Sequence, residues 1–331
     1  MHPAFSVIFL TTLIGVGQGL FLALMTAQFY AVLGLVPTPS SDFYVMGSLL
    51  SVMFLVAGLV ASFFHLGHPE RAWRSAARWR TSWLSREVIV LPAAIGGVLL
   101  YALIHYMNWD LAFLTAYLKL PHGLALVVGI GTVVVTFLLF LCTGMIYACI
   151  KFLQEWATPL TVVNYTLFGL ASGFLFATAY AAYANPMLTN FFGLWAAIFT
   201  VVALLTRAAS LIRNARIKRK SSLQTAIGVR HTRIQQKSQG FMGGSFNTRE
   251  FFHGVKPVFF KSIKWVFLIL VFPVPLFLLW AGLSLKSVGL EAGPSILAVA
   301  FGAQYLGLIA ERWFFFAQAN HPQNLYYQTI S

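Results

Sequence analysis

The residues of this chain best equipped for chemistry crowd into one stretch, from His65 to Glu87. It holds five arginines (Arg71, Arg74, Arg78, Arg80, Arg86), two histidines, three tryptophans and two carboxylates, Glu70 and Glu87, of only eight in the chain. An imidazole exchanges a proton near neutral pH, a carboxyl relays one, and guanidinium groups stabilise negative charge where it develops. Together they suit a molecule that takes up electrons and protons at once, and a quinone is a membrane-soluble example. His65, expected to close one helix, and Glu87, expected to open the next, are the proton-handling pair of a helical hairpin. Arg71 or Arg86 then supplies positive potential. A plainer reading makes Arg86 and Glu87 interfacial anchors or helix-end groups and His65 a satisfied C-terminal residue.

The elements that position this edge are apolar. Charged residues make up 9% of 331 and apolar types 59%, against about 25% charged in an ordinary soluble domain. A hydrocarbon core about 30 Å thick asks for roughly 20 apolar residues per helix. Eight runs qualify, at 4–34, 43–66, 87–107, 122–150, 159–183, 187–212, 263–284 and 294–317. The expected fold is therefore all-α, a single polytopic membrane domain over 1–331 with eight spanning helices. Met1 to Leu10 lacks the basic n-region of a cleaved signal peptide, so the first run is expected to stay.

The net charge of +14 would suggest nucleic acid in a soluble protein, but here the cations fall between apolar runs and set topology instead. One side collects the five arginines of 65–87, Lys151, the cations from Arg207 through Lys264, and Arg312; the other receives Lys119 and Lys286. That bias makes the first side cytoplasmic, with both termini inside. The long connection 213–262 is basic and carries Phe241, Phe246, Phe251 and Phe252. Its length and composition read as a cytoplasmic docking loop that orders on a partner.

Gln18 stands out within the first run, roughly 20 Å below the surface at 1.5 Å per residue. Its amide needs a partner in a neighbouring helix or in a bound polar ligand, so it joins the candidate cofactor-binding residues. Thr11, Gly15 and Gln18 share one helix face. Gly15, Gly17 and Gly19 around it mark close helix packing. His105 and His122 lie near the far side at adjoining helix ends, where a haem would want a matched pair at depth; neither is deep. Cys142 and Cys149, seven apart on one helix, lie about 10 Å apart along its axis, beyond disulfide reach. They form no cluster that would hold zinc or iron–sulfur.

The opening Met1-His2-Pro3-Ala4-Phe5, the segment His65-Leu66-Gly67-His68-Pro69 with Arg71-Ala72, and above all Ser82-Trp83-Leu84-Ser85-Arg86-Glu87 resemble the DmsC family, the membrane anchor subunits of DMSO-reductase-type molybdoenzymes. The resemblance implies an eight-helix anchor without haem in the bacterial inner membrane. It would exchange electrons between a four-cluster iron–sulfur subunit, docked on the cytoplasmic face beside a molybdopterin catalytic subunit, and ubiquinone or menaquinone. It also implies that His65 and Glu87 belong to the quinone site, with Arg71 nearby and Trp83, Ser85 and Arg86 in the same string. The long basic loop departs from shorter anchors and resembles the variant found with cytoplasmic sulfite dehydrogenases. Quinone reduction coupled to oxidation of sulfite or a similar anion is thus expected, with menaquinol oxidation by a DMSO reductase anchor as the alternative. Two further classes are a transporter, which would show helices broken near the midplane in corresponding halves and a paired acidic site there, and a purely structural anchor.

Overall fold

The computed structural model describes residues 4–110, 123–218, 222–234, 257–290 and 292–319, and these form helices and their connections, with no strand among them. The long helices are α1 (Phe5–Val32), α2 (Ser41–Phe63), α3 (Trp83–Tyr106), α4 (Gly123–Ala148), α5 (Pro159–Ala184), α6 (Thr189–Ala215), α7 (Pro257–Val271), α8 (Pro273–Ser287) and α9 (Ala292–Ala317), and one short helix, Leu223–Ile227, lies in the basic connection. Eight spans are long and apolar enough to cross a membrane, the seventh made of α7 and α8 together.

The centre of the bundle is α1. Every residue from Ile14 to Met25 is buried, which is what a helix apolar on all faces requires. It packs on α2 and α5, and α5 in turn on α6 and α9. The contact between α1 and α5 is backbone on backbone: a Cβ on Gly19 would collide with the carbonyl of Gly169, and one on Gly173 with the backbone of Gly19. The glycines therefore do serve close packing. A second layer, α3 against α4 and α2, carries Glu87.

Three helix ends depart from expectation, each for a local reason. The Ser82 side chain accepts a hydrogen bond from the Ser85 N–H, capping α3 so that it starts at Trp83. Glu87 is thus the fifth residue of its helix rather than its first. The second helix stops at Phe63, and His65 lies two residues beyond it instead of closing it. The seventh span begins at Pro257, not 263, and is divided at Phe272, because Pro273 cannot donate to the helix ladder and starts a new helix. Gln304 of α9 covers the break, its amide donating to the freed Val271 carbonyl (3.3 Å) and to Thr200 Oγ1 (3.2 Å). The basic connection now runs between Ala215 and Pro257; residues 219–221 and 235–256, including its four phenylalanines, lie outside the described residues.

Candidate functional site

Between α2 and α3 the chain makes a ten-residue 3-10 helix, Pro69–Arg78, with no buried residue. Glu70 bridges two of its neighbours, with His68 Nδ1 at 3.0 Å and Arg71 Nε at 3.6 Å. Arg86 ties this segment to α3: its guanidinium donates to the carbonyls of Trp79 (2.9 Å) and Arg80 (2.8 Å) and lies over the Trp83 ring at 4.2 Å. The positive charge of Arg86 is therefore fixed in place, whereas Arg71 is exposed. His65 is an exposed residue by side-chain surface, yet partial desolvation holds its pKa below the usual 6.5. Neutral at pH 7, it offers one N–H and one lone pair.

Below Arg86 and Trp83, Ser85 and Glu87 turn into the bundle, Glu87 only 6% exposed. Thr143 of α4 donates to Glu87 Oε1 at 2.5 Å. Among the described residues no cation pairs with Glu87, and no hydrogen bond joins it to His65 or Arg71. Gln18 lies deeper. Its amide nitrogen donates to the Thr136 carbonyl at 3.0 Å, so a neighbouring helix supplies the partner that the depth of this residue demands.

Sequence reasoning missed a second polar centre on the same side of the bundle. Glu311 of α9 is paired through Oε1 with Arg207 of α6 (2.7 Å) and through Oε2 with Arg312 (2.8 Å). All three are at most 3% exposed. By sequence, Arg207 and Arg312 fall among the surface cations that set topology; burial removes them from that tally, and the remaining loop cations keep the same bias. A signal for the cluster does exist in the sequence. Glu311 is one of eight carboxylates, lies inside an apolar run, and is followed directly by an arginine.

On the far side, His105 is buried between Tyr44 (centroids 4.6 Å, stacked) and Tyr101 (4.7 Å, edge-on), with Tyr101 donating to Gln28 Oε1 at 2.7 Å. His105 lies in the last turn of α3, near the helix end as expected, and the enclosing rings bury it there; His122 lies outside the described residues. A cavity of about 440 Å³ opens on that side between α1, α4, α5 and α6, walled by Leu22, Met25, Phe29, Val133, Phe137 and Phe174. Its walls suit an acyl or prenyl chain; the one hydroxyl among them, Thr26, is spent on the Leu22 carbonyl at 2.7 Å. Cys142 and Cys149 are both free.

Eight apolar spans, a cationic edge and buried carboxylates on the side of that edge define a polytopic membrane protein. The chain matches the family described as DMSO reductase anchor subunit (DmsC) over residues 1–280. It is 53% identical, over 331 residues and the full length of both chains, to a subunit of the sulfite dehydrogenase of Allochromatium vinosum. No solved structure matches it. The chain belongs to the DmsC family of membrane anchor subunits.

Proposed function

We propose that this protein is the quinone-reactive anchor of a molybdopterin oxidoreductase, reducing membrane quinone with electrons that an iron–sulfur partner draws from oxidation of sulfite or a similar anion. The observation that carries this reading is Glu87, a carboxyl buried in a spanning helix with one hydroxyl donor and, among the described residues, no cation. Intramembrane carboxyls are costly and mark proton or ligand paths by default. A bound quinone supplies the redox chemistry, accepting two electrons and two protons. Toward it, Glu87 holds and delivers a proton, Thr143 orients its carboxyl through Oε1, and the fixed Arg86 keeps positive potential at the mouth. Neutral His65 donates a hydrogen bond at the edge.

The cation bias favours placing that edge, both termini and the docked partners in the cytoplasm of a bacterial cell. The name of the 53% identical relative favours the oxidative direction; the family description alone would equally suit oxidation of quinol by a DMSO reductase. Against a transporter, no paired acidic site lies at the midplane among the described residues, and the break at Phe272 has no counterpart in α3, which continues through Pro92. The test uses the purified complex. His65→Ala and Glu87→Gln should abolish quinone-linked turnover while the partners keep full activity with a soluble artificial electron acceptor. Normal quinone kinetics in both variants would reduce this edge to an anchor, and a complex that reduces DMSO with quinol but passes no electrons from sulfite to quinone would reverse the direction.

A further inference from the structure

The Arg207, Glu311 and Arg312 cluster is not used by the reading above, and its chemistry is unfinished. Two guanidiniums carry ten N–H donors between them, and one carboxylate meets them through two ion pairs. Among the described residues, Arg312 Nη1 and Arg207 Nε are buried without a hydrogen-bond acceptor. Buried donors of charged groups are rarely left unmet in folded proteins, and where protein does not serve them ordered water usually does.

The space for that water is present. A cavity of about 10 Å³ lies against Arg207, Glu311 and Arg312, and its wall continues through Asn164 and Ser210 to Glu155 on the α4–α5 connection. A second, of about 20 Å³, also borders Arg312 and Tyr165 and is lined by Thr11, Thr12 and Gly15 of α1, with Ser172, Phe168 and Leu308. Each is about the size that one water occupies. Both border Tyr165 and Arg312, so these two side chains are all that a water-borne proton would have to pass between them. Glu155 in the wall sets a second carboxylate against the two arginines, and Arg213, held on the Gln154 carbonyl and on Asn214, adds a third guanidinium beside the entrance.

We propose that the two cavities form a hydrated track, an inlet that carries protons from the surface at Glu155, past the arginine and glutamate cluster, to the Thr11 and Thr12 face of α1. The inlet rests on the quinone reading for its purpose, because each quinone reduced by two electrons from the iron–sulfur partner needs two protons from water. Its existence does not rest on that reading. Glu155 collects the proton, bound water and the Tyr165 hydroxyl pass it on, and the ion-paired cluster orders the water without itself changing charge.

The test has two arms, both on the intact complex. X-ray radiolysis generates hydroxyl radical from bound water and labels the side chains beside it. Tyr165 and Phe315, buried though they are, should be labelled in the wild type and lose most of that label in Asn164→Leu, which fills the track with an apolar group of similar size. Absence of label on both residues in the wild type overturns the inlet. In the second arm, Glu155→Gln, a half-buried change that does not threaten the fold, should slow quinone-linked turnover several-fold, with recovery on adding a small weak acid such as acetate. Labelled tyrosine with unaltered turnover in Glu155→Gln would show water without proton traffic and reject the role. A wild-type complex without quinone turnover would sink the proposed function instead, and the labelling arm would still decide the inlet.

Discussion

Two buried carboxylates lie toward the same side of this membrane protein and are treated in opposite ways. Among the described residues Glu87 receives one hydroxyl, from Thr143, and no cation. Glu311 is clamped by two guanidiniums at 2.7 and 2.8 Å, one of which also covers the Tyr165 ring at 3.9 Å. A carboxyl that meets only a hydroxyl can trade its proton without dismantling a structure around it. One held by two arginines is part of a charge balance, and removing it strands them. The difference separates a group available for chemistry from a group that orders its surroundings.

The largest expected effect tests the second half of that comparison. Removing one partner from a buried ion cluster leaves an uncompensated charge and typically costs about 3–5 kcal/mol. Arg312→Met or Glu311→Leu should therefore lower the thermal midpoint of the purified complex sharply. Replacing all three residues with apolar side chains of similar volume should recover much of the loss, since desolvation of the cluster offsets its internal attraction. Singles that melt like the wild type would mean that the cluster bears no structural charge balance at all.

Glu87 should behave in the reverse manner. Glu87→Gln keeps the volume and the Thr143 contact, so stability should change little, while quinone-linked turnover falls about 10²–10³-fold, the usual cost of losing one stabilising group at a reacting centre. Thr143→Val, which removes the 2.5 Å hydrogen bond but leaves the carboxyl, should sit between, at about a 10-fold loss or less, because one hydrogen bond contributes about 0.5–1.5 kcal/mol. If Thr143→Val matched Glu87→Gln, the hydroxyl and not the carboxyl would be the essential group.

What the sequence reveals follows the same division. Eight spans, the cation bias and the string from Ser82 to Glu87 are legible because hydropathy and local capping act over a few residues. The depth of the Gln18 amide calls for a neighbouring-helix partner or a ligand, and the structure supplies the Thr136 carbonyl. Arg207, Glu311 and Arg312 escape a sequence reading because each sits about two turns or less from a helix end, where a cation ordinarily snorkels to the surface. Only the packing of α6 against α5 and α5 against α9 turns them inward to one another. The break at Phe272 is likewise hidden in an unbroken apolar run, although Pro273 and Pro275 are there to be read.

A smaller effect concerns how the two helices flanking the arginine segment are held. Ser82 caps α3 through the Ser85 N–H and thereby brings Glu87 into the second turn. Ser82→Ala should cost about 1 kcal/mol and leave the cluster around Glu311 untouched, so its effect should add to that of Arg312→Met within experimental error. Strong coupling between the two would mean that the edge and the cluster share one network rather than two.

The smallest effect belongs to His65 and depends on sign. Desolvation holds its folded pKa below the unfolded value near 6.5. Above that value both states are neutral, and His65 adds no pH dependence. As pH falls through it, the unfolded chain binds a proton that the folded chain still refuses, so stability declines until the folded pKa is passed and then levels off. Wild-type complex should therefore lose slightly more of its thermal midpoint between about pH 7.5 and 5.5 than His65→Gln does, with a modest difference because the residue is substantially exposed. A larger loss in the variant would mean that His65 gains a proton on folding, as it would beside an unshielded carboxylate. It would then belong with Glu87 in one charged pair, and the contrast between a lone carboxyl and a clamped one would have to be redrawn.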